Sequence, residues 1–324
     1  MKKILISLLA IVLVAGCTIP GFDLGGTTTI GTSGKGLEIT TFTAEPTPVY
    51  SGSNIRVTMQ IENDGGSTVS QNHGLVYLTG SNMKSPLTTA DSLYWYSTDS
   101  KNETQRLTRD MRPVDVVKGT SPDTATFTWS LKAPTVPAGQ TRTDTFYGRT
   151  YCDYSTGVNG NVWVYAEGES DAAKASGRSL NKASFTSTSG PVALDVSVSP
   201  DPVILYSGGD KTFSLYIKIK NLASGTIYRK NILRAYTSGN NNVTIGADDY
   251  NQVYVNVTYD TNVLTNTTEC SSYQELPSNK ETTLVCDFNI TDASSITFKS
   301  YPISVKADYG YYTEKIASVT VQGR

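Results

Sequence analysis

Residues 46–66 read PTPVYSGSNIRVTMQIENDGG, and residues 200–225 read PDPVILYSGGDKTFSLYIKIKNLASG. Each stretch passes from a Pro-x-Pro through Val to a Tyr-Ser-Gly turn, then along an alternating run to an Asn followed by small turn residues. From Ile55 to Ile61, and again from Phe213 to Ile219, every second residue is apolar. A period of two is the signature of a strand with one buried face.

The likeness of the two stretches extends through the chain. Pro46 answers Pro200, Tyr50 answers Tyr206, Ile61 answers Ile219, and Asp153-Tyr154 answers Asp308-Tyr309, at offsets of 154, 156, 158 and 155. Four matches in the same order predict an internal duplication, with one copy over 37–168 and the other over 191–324. Further short runs, Thr126 to Leu131, Val162 to Tyr165, Val253 to Tyr259, Thr283 to Phe288, Ile303 to Ala307 and Ile316 to Val321, read as separate strands. Turns such as Asn63-Asp64-Gly65-Gly66 and Pro137-Ala138-Gly139 punctuate them. Strands without intervening amphipathic helices predict an all-β chain of two tandem antiparallel β-sandwiches. Residues 169–190 read as a linker between the copies, able to form a helical turn or two.

The order of opening strand, Pro-x-Pro, Tyr-Ser-Gly turn, long alternating strand and Asn-Gly turn resembles the immunoglobulin-like, CARDB-type modules of prokaryotic surface proteins. The closing Asp-Tyr strands are similar to repeats in archaeal surface lipoproteins. The resemblance implies an immunoglobulin-like sandwich for each copy. It covers about half of each and points to no chemistry.

The N-terminus carries an address. Lys2 and Lys3 precede an apolar run from Ile4 to Val14, too short to span a bilayer and suited to a signal peptide over residues 1–16. The run ends in Val14-Ala15-Gly16-Cys17, which resembles the lipobox of bacterial and archaeal lipoproteins and implies a lipidated Cys17. Residues 17–36, rich in Gly, Thr and Ser, read as a flexible tether. The expected location is therefore extracytoplasmic, with the chain anchored to the membrane by lipid and copy 2 standing farthest from it.

Composition narrows the function. With 27 basic and 29 acidic side chains interspersed, the chain lacks the basic stripe that nucleic acid requires. The single His73 has no Cys or His neighbour in sequence, and no nucleophile elbow, phosphate loop, dinucleotide fingerprint or zinc motif occurs. Asp248-Asp249 and Asn63-Asp64 read as turn chemistry rather than calcium loops. No catalytic residue, metal or cofactor is expected.

Four groups of residues stand out. Cys270 and Cys286 flank a turn containing Pro277-Ser278-Asn279 and predict a hairpin-like disulfide, while Cys152 is left as a free thiol or an intermolecular bridge. The Tyr94-Trp95-Tyr96 segment is a candidate binding surface, although strand alternation would turn Leu93 and Trp95 to one side and the tyrosines to the other. Asn102, Asn242, Asn256, Asn266 and Asn289 begin glycosylation sequons. The reading is a structural, adhesive or protein-interaction module without catalysis, whose partners are the membrane and a surface protein or envelope glycan, with self-assembly open. The alternatives are a carbohydrate-binding module using Tyr94 to Tyr96, and a hydrolase with an unrecognised acidic site.

Overall fold

The alternating runs are strands with their apolar positions turned inward. Ile55, Val57, Met59 and Ile61 are buried, as are Phe213, Leu215, Ile217 and Ile219. The computed structural model describes residues 27–29, 35–115, 118–231, 245–293 and 296–324, so the signal peptide and Cys17 lie outside the described residues.

The first nine strands are β1 (Thr27–Thr29), β2 (Leu37–Glu45), β3 (Val49–Tyr50), β4 (Asn54–Asn63), β5 (Gly74–Gly80), β6 (Tyr96–Ser97), β7 (Thr104–Arg106), β8 (Thr124–Lys132) and β9 (Thr141–Ala166). Helix α1 (Glu167–Ser176) and strand β10 (Ser184–Ser187) then occupy the stretch between the copies. Copy 2 continues with β11 (Val192–Ser199), β12 (Val203–Leu205), β13 (Thr212–Asn221), β14 (Thr226–Tyr228) and β15 (Gln252–Tyr259). It closes with β16 (Leu264–Asn266), β17 (Ser272–Glu275), β18 (Glu281–Ile290) and β19 (Phe298–Gln322).

Two four-stranded antiparallel sheets, β2-β4-β8-β6 and β11-β13-β18-β16, repeat the same strand order in the two copies. Both carry one sheet of a sandwich. The opposite layer is a single eleven-stranded sheet common to both, with β9 and β19 at its centre. These two strands pair antiparallel in register along all 25 residues of β19, and Tyr154 lies directly opposite Tyr309. The duplicated Asp-Tyr pairs therefore mark a pseudo-twofold point. On one side of it β9 carries β5, and on the other β19 carries β15. The short strands obey the same relation, because β3 joins the far end of β19 at Val321 as β12 joins the far end of β9 at Val164.

The runs expected as separate strands at Ile303 to Ala307 and Ile316 to Val321 are thus two halves of β19, and Val162 to Tyr165 is the end of β9. Gly160 and Gly310 sit within these strands because aromatic rings fill the space that a side chain would take. A Cβ on Gly160 would meet Phe185 at 2.2 Å, and one on Gly310 would meet Tyr228 at 2.1 Å.

Local devices repeat as well. Asn63 accepts the Gly65 N–H and donates to the Ser67 carbonyl, and Asn221 accepts the Ala223 N–H and donates to the Gly225 carbonyl. The Asn that ends each alternating strand thereby closes the turn beyond it. The Pro46, Pro48, Pro200 and Pro202 peptide bonds are all cis.

Two expectations change. Thr27–Thr29, within the stretch read as a flexible tether, instead form β1, which pairs parallel to β10. The interdomain stretch is also structured, since β10 pairs with β9 and Gly177 ends α1 in the left-handed conformation, at φ 70°.

Candidate functional site

The duplicated aspartates meet different partners near the seam between the copies. Asp153 on β9 is almost wholly buried; its Oδ2 lies 2.8 Å from His73 Nδ1, and its Oδ1 accepts the Asn231 N–H at 3.2 Å. His73, alone in its stretch of sequence, is thus held by a carboxylate 80 residues away. Asp308 on β19 is paired with Lys230, and Lys306 Nζ lies 3.2 Å from the same carboxylate oxygen.

Lys230, Asn231, Tyr254, Tyr273 and Asp308 line a pocket of about 370 Å³. Its two tyrosine rings meet edge to face at 5.1 Å, and the Arg229 guanidinium lies 4.1 Å from the centre of the Tyr273 ring. Ion pairs, an amide and aromatic rings converge here, a combination suited to holding a ligand. Register explains the gathering, because Tyr254 stands opposite Asp308 on one side and Tyr273 on the other. The aspartates were visible in sequence as repeat anchors, whereas Lys230 and Asn231 carry no signal of their own.

The Tyr94 to Tyr96 segment is reorganised. Residues 91–94 form a turn rather than a strand, with the Tyr94 N–H donating to the Asp91 carbonyl and the Leu93 N–H to the Asp91 carboxylate, and Trp95 follows it in a parallel bridge to Met83. Leu93 is exposed and Trp95 is fully buried, so the expected alternation fails. Trp95 packs edge to face on Phe146 at 5.2 Å, and its indole N–H donates to buried Asp144 at 2.8 Å. Its ring belongs to the core. Tyr94 remains at the surface and Tyr96 is half-buried.

The cysteines occupy two settings. Cys152 is buried between the sheets, and its thiol donates to the Tyr311 carbonyl at 3.6 Å while burial pushes its pKa up. Cys270 and Cys286 are buried thiols held against each other. The contact with Cys286 favours the Cys270 thiolate and pushes the Cys270 pKa down, while the same contact pushes Cys286 up. The pair does not flank a hairpin. Cys270 lies where the chain leaves β16 for β17 in the shared sheet, and Cys286 lies on β18 in the facing sheet.

Among the sequons, Asn289 is exposed on β18 and Asn102 is half-buried. Asn256 accepts the Ser271 hydroxyl, and Asn266 accepts the Tyr259 hydroxyl and donates to the Thr268 carbonyl. Asn242 lies outside the described residues. Among the described residues no cluster of three or more His, Cys, Asp or Glu could hold a metal ion.

No family model matches the sequence, and no curated protein matches it. Among solved structures, the native conformation of Escherichia coli alpha-2-macroglobulin shows 9 % identity and a TM-score of 0.21, over 90 % of this chain and 17 % of that one. Red sea bream transglutaminase shows 8 % identity and a TM-score of 0.20, over 89 % and 31 %. The chain therefore spans less than a third of either protein. The Enterococcus faecalis MSCRAMM ACE shows 8 % identity and a TM-score of 0.16, over 88 % and 95 %. At these scores the likeness is one of β-sandwich character and carries no argument about function.

Proposed function

We propose that the chain is a non-catalytic, extracytoplasmic module, anchored by lipid at Cys17, that presents a stiff two-sandwich body to a surface partner. The observation that supports this reading is the continuous pairing of β9 with β19. Tandem sandwiches joined only by a linker would hinge; two strands of about 85 Å, paired throughout, resist bending between the copies. A stiff body serves display, adhesion or scaffolding. The seam pocket, with charges already paired and aromatic rings at its wall, suits binding.

The direction of β1 bears on how the body stands. β1 runs toward the seam alongside β10, so Thr27 lies farther out along copy 2 than Thr29. With an anchor at Cys17, copy 2 would stand nearer the membrane and copy 1 farther out, the reverse of the order expected from sequence.

The carbohydrate-binding alternative at Tyr94 to Tyr96 loses its main support with Trp95 in the core. The test is fractionation of cells producing the full chain and its Cys17→Ser variant, together with sedimentation of the purified mature chain with cell envelopes. Release of the variant from membranes, and cosedimentation of the mature chain, are expected. A mature chain that stays monomeric when concentrated and binds no envelope fraction would overturn the reading.

A further inference from the structure

The outer face of the shared sheet changes chemistry at the seam. On the copy 1 half, Tyr147 stands opposite Ile316, and Arg149 opposite and ion-paired with Glu314. On the copy 2 half, the register sets Thr186, Asn159, Ser304 and Thr258 side by side across four strands. Asn161 and Pro302 form the next row outward, with Trp163 beyond Asn161 on β9. Inner-face neighbours Val158, Val162, Ile303, Val305 and Val257 are buried, so alternation turns the polar set to solvent. None of the outward side chains just named ionises. Charge on this face stands at Asp260, at the edge of the outer row, and at Lys306 and Asp308 toward the seam.

A shallow groove of about 460 Å³ passes over Asn159, Asn161, Pro302, Ser304 and Thr258, with Tyr259 and the carboxylate of Asp260 at its edge, an acceptor for sugar hydroxyls and a repellent for an anionic ligand. Neighbouring strands lie about 4.8 Å apart and alternate side chains about 6.7 Å apart, so the row of four spans about 14 Å, or two to three sugar rings. Amides and hydroxyls both donate and accept hydrogen bonds, as sugar hydroxyls do. Trp163 offers an aromatic ring to the apolar C–H face of a pyranose. An anionic ligand would find no cation in these rows, and a protein partner would find a flat polar surface without the buried aromatic or Arg anchors that carry protein interfaces.

We propose that the copy 2 half of this face binds a neutral polysaccharide. The inference rests on the surface-module reading above and names a ligand class for it.

The test is affinity electrophoresis of the full chain in gels containing laminarin, yeast mannan or hydroxyethylcellulose, with alginate as the anionic comparison. Retardation by at least one neutral polymer is expected, insensitive to about 0.5 M salt because no ion pair carries it. The exposed double substitution Asn159→Asp with Asn161→Asp places two charges against a neutral ligand and should weaken retardation by about tenfold or more. Trp163→Ala should do likewise, but Trp163 stacks on Tyr165 at 6.4 Å, so the asparagine pair keeps the test independent of packing. Tyr147→Ala, on the copy 1 half, should leave retardation unchanged.

Retardation by none of the neutral polymers, retardation by alginate alone, or retention of full binding in the double variant would each overturn the proposal. A chain that sediments with envelopes yet ignores all three neutral polymers overturns this inference and leaves the surface-module reading standing. One that does neither overturns both.

Discussion

Tyr309 is one of the points where the two copies are fastened, and Tyr309→Phe removes one oxygen from it. The hydroxyl lies 2.9 Å from Thr156 Oγ1 and accepts the Val192 N–H at 3.2 Å, and all three residues are fully buried. Without it the Val192 amide has no acceptor from this side chain in a dry interior, at about 1–3 kcal/mol for an orphaned buried donor. The Thr156 hydroxyl can rotate and adds less, while the phenylalanine itself no longer has a hydroxyl to desolvate. The net expectation is about 2 kcal/mol. For one folded body of about 290 residues that is a fall in Tm of about 3 °C. Differential scanning calorimetry is the assay, because it also reports how many units melt. If β9 and β19 bind the copies into one cooperative body, wild type and variant should each show one transition whose calorimetric and van't Hoff enthalpies agree. Two resolved transitions, with only one displaced by the substitution, would refute the argument that the shared sheet makes the copies a single unit.

Other outcomes follow from the same structure. Trp95→Ala should destabilise by about 3–5 kcal/mol, as a large aromatic lost from the core, whereas Tyr94→Ala should stay within about 0.5 kcal/mol; chemical denaturation distinguishes them. Cys270 and Cys286, made to react with an external disulfide, should lose two protons and form a bridge seen as a 2 Da mass decrease, closing a loop worth about 3 kcal/mol in the chain-entropy model. Mapping both residues to separate thiol adducts after oxidation would defeat that expectation. Burial raises the Glu38 pKa above its ordinary 4.5, so its ionisation opposes folding: the stability it contributes is present at low pH and lost as pH rises through the folded-state value. Glu38→Gln should therefore match wild type near pH 4 and melt higher than wild type at pH 7. In a glycosylating host, peptide mapping should find exposed Asn289 modified ahead of Asn256 and Asn266, whose amides are already engaged.

The duplication and the facing sheets were legible because their signals are local. The alternation from Ile55 to Ile61 and from Phe213 to Ile219 needs only one buried face to be read, and both runs are buried as expected. The central strands resisted reading. Gly148, Gly157 and Gly160 in β9, and Glu314-Lys315 in β19, break the apolar period, so each strand dissolved into fragments. What holds these residues extended is pairing to a strand about 155 residues away, which no local pattern encodes. The candidate site failed to show for the same reason. Asp153 meets His73 and Asp308 meets Lys230 only once the sheet has formed. The expected pairing of Leu93 with Trp95 failed because alternation was extended into a segment where Asp91 closes a turn.

The crossing of β9 and β19 at Tyr154 and Tyr309 also bears on origin. Equivalent residues of the two copies face each other there, and each central strand spends one half in its own sandwich and the other in its neighbour's. A lone copy would leave half of its longest strand unpaired, and the surface best matched to that half is the same strand of a twin. The arrangement within this chain is therefore the one a symmetric homodimer would adopt, with the covalent stretch through α1 and β10 replacing mass action in keeping the halves together. Once joined, the two faces were free to diverge. The ion-paired outer face of one half and the amide- and hydroxyl-lined groove of the other record that loss of symmetry.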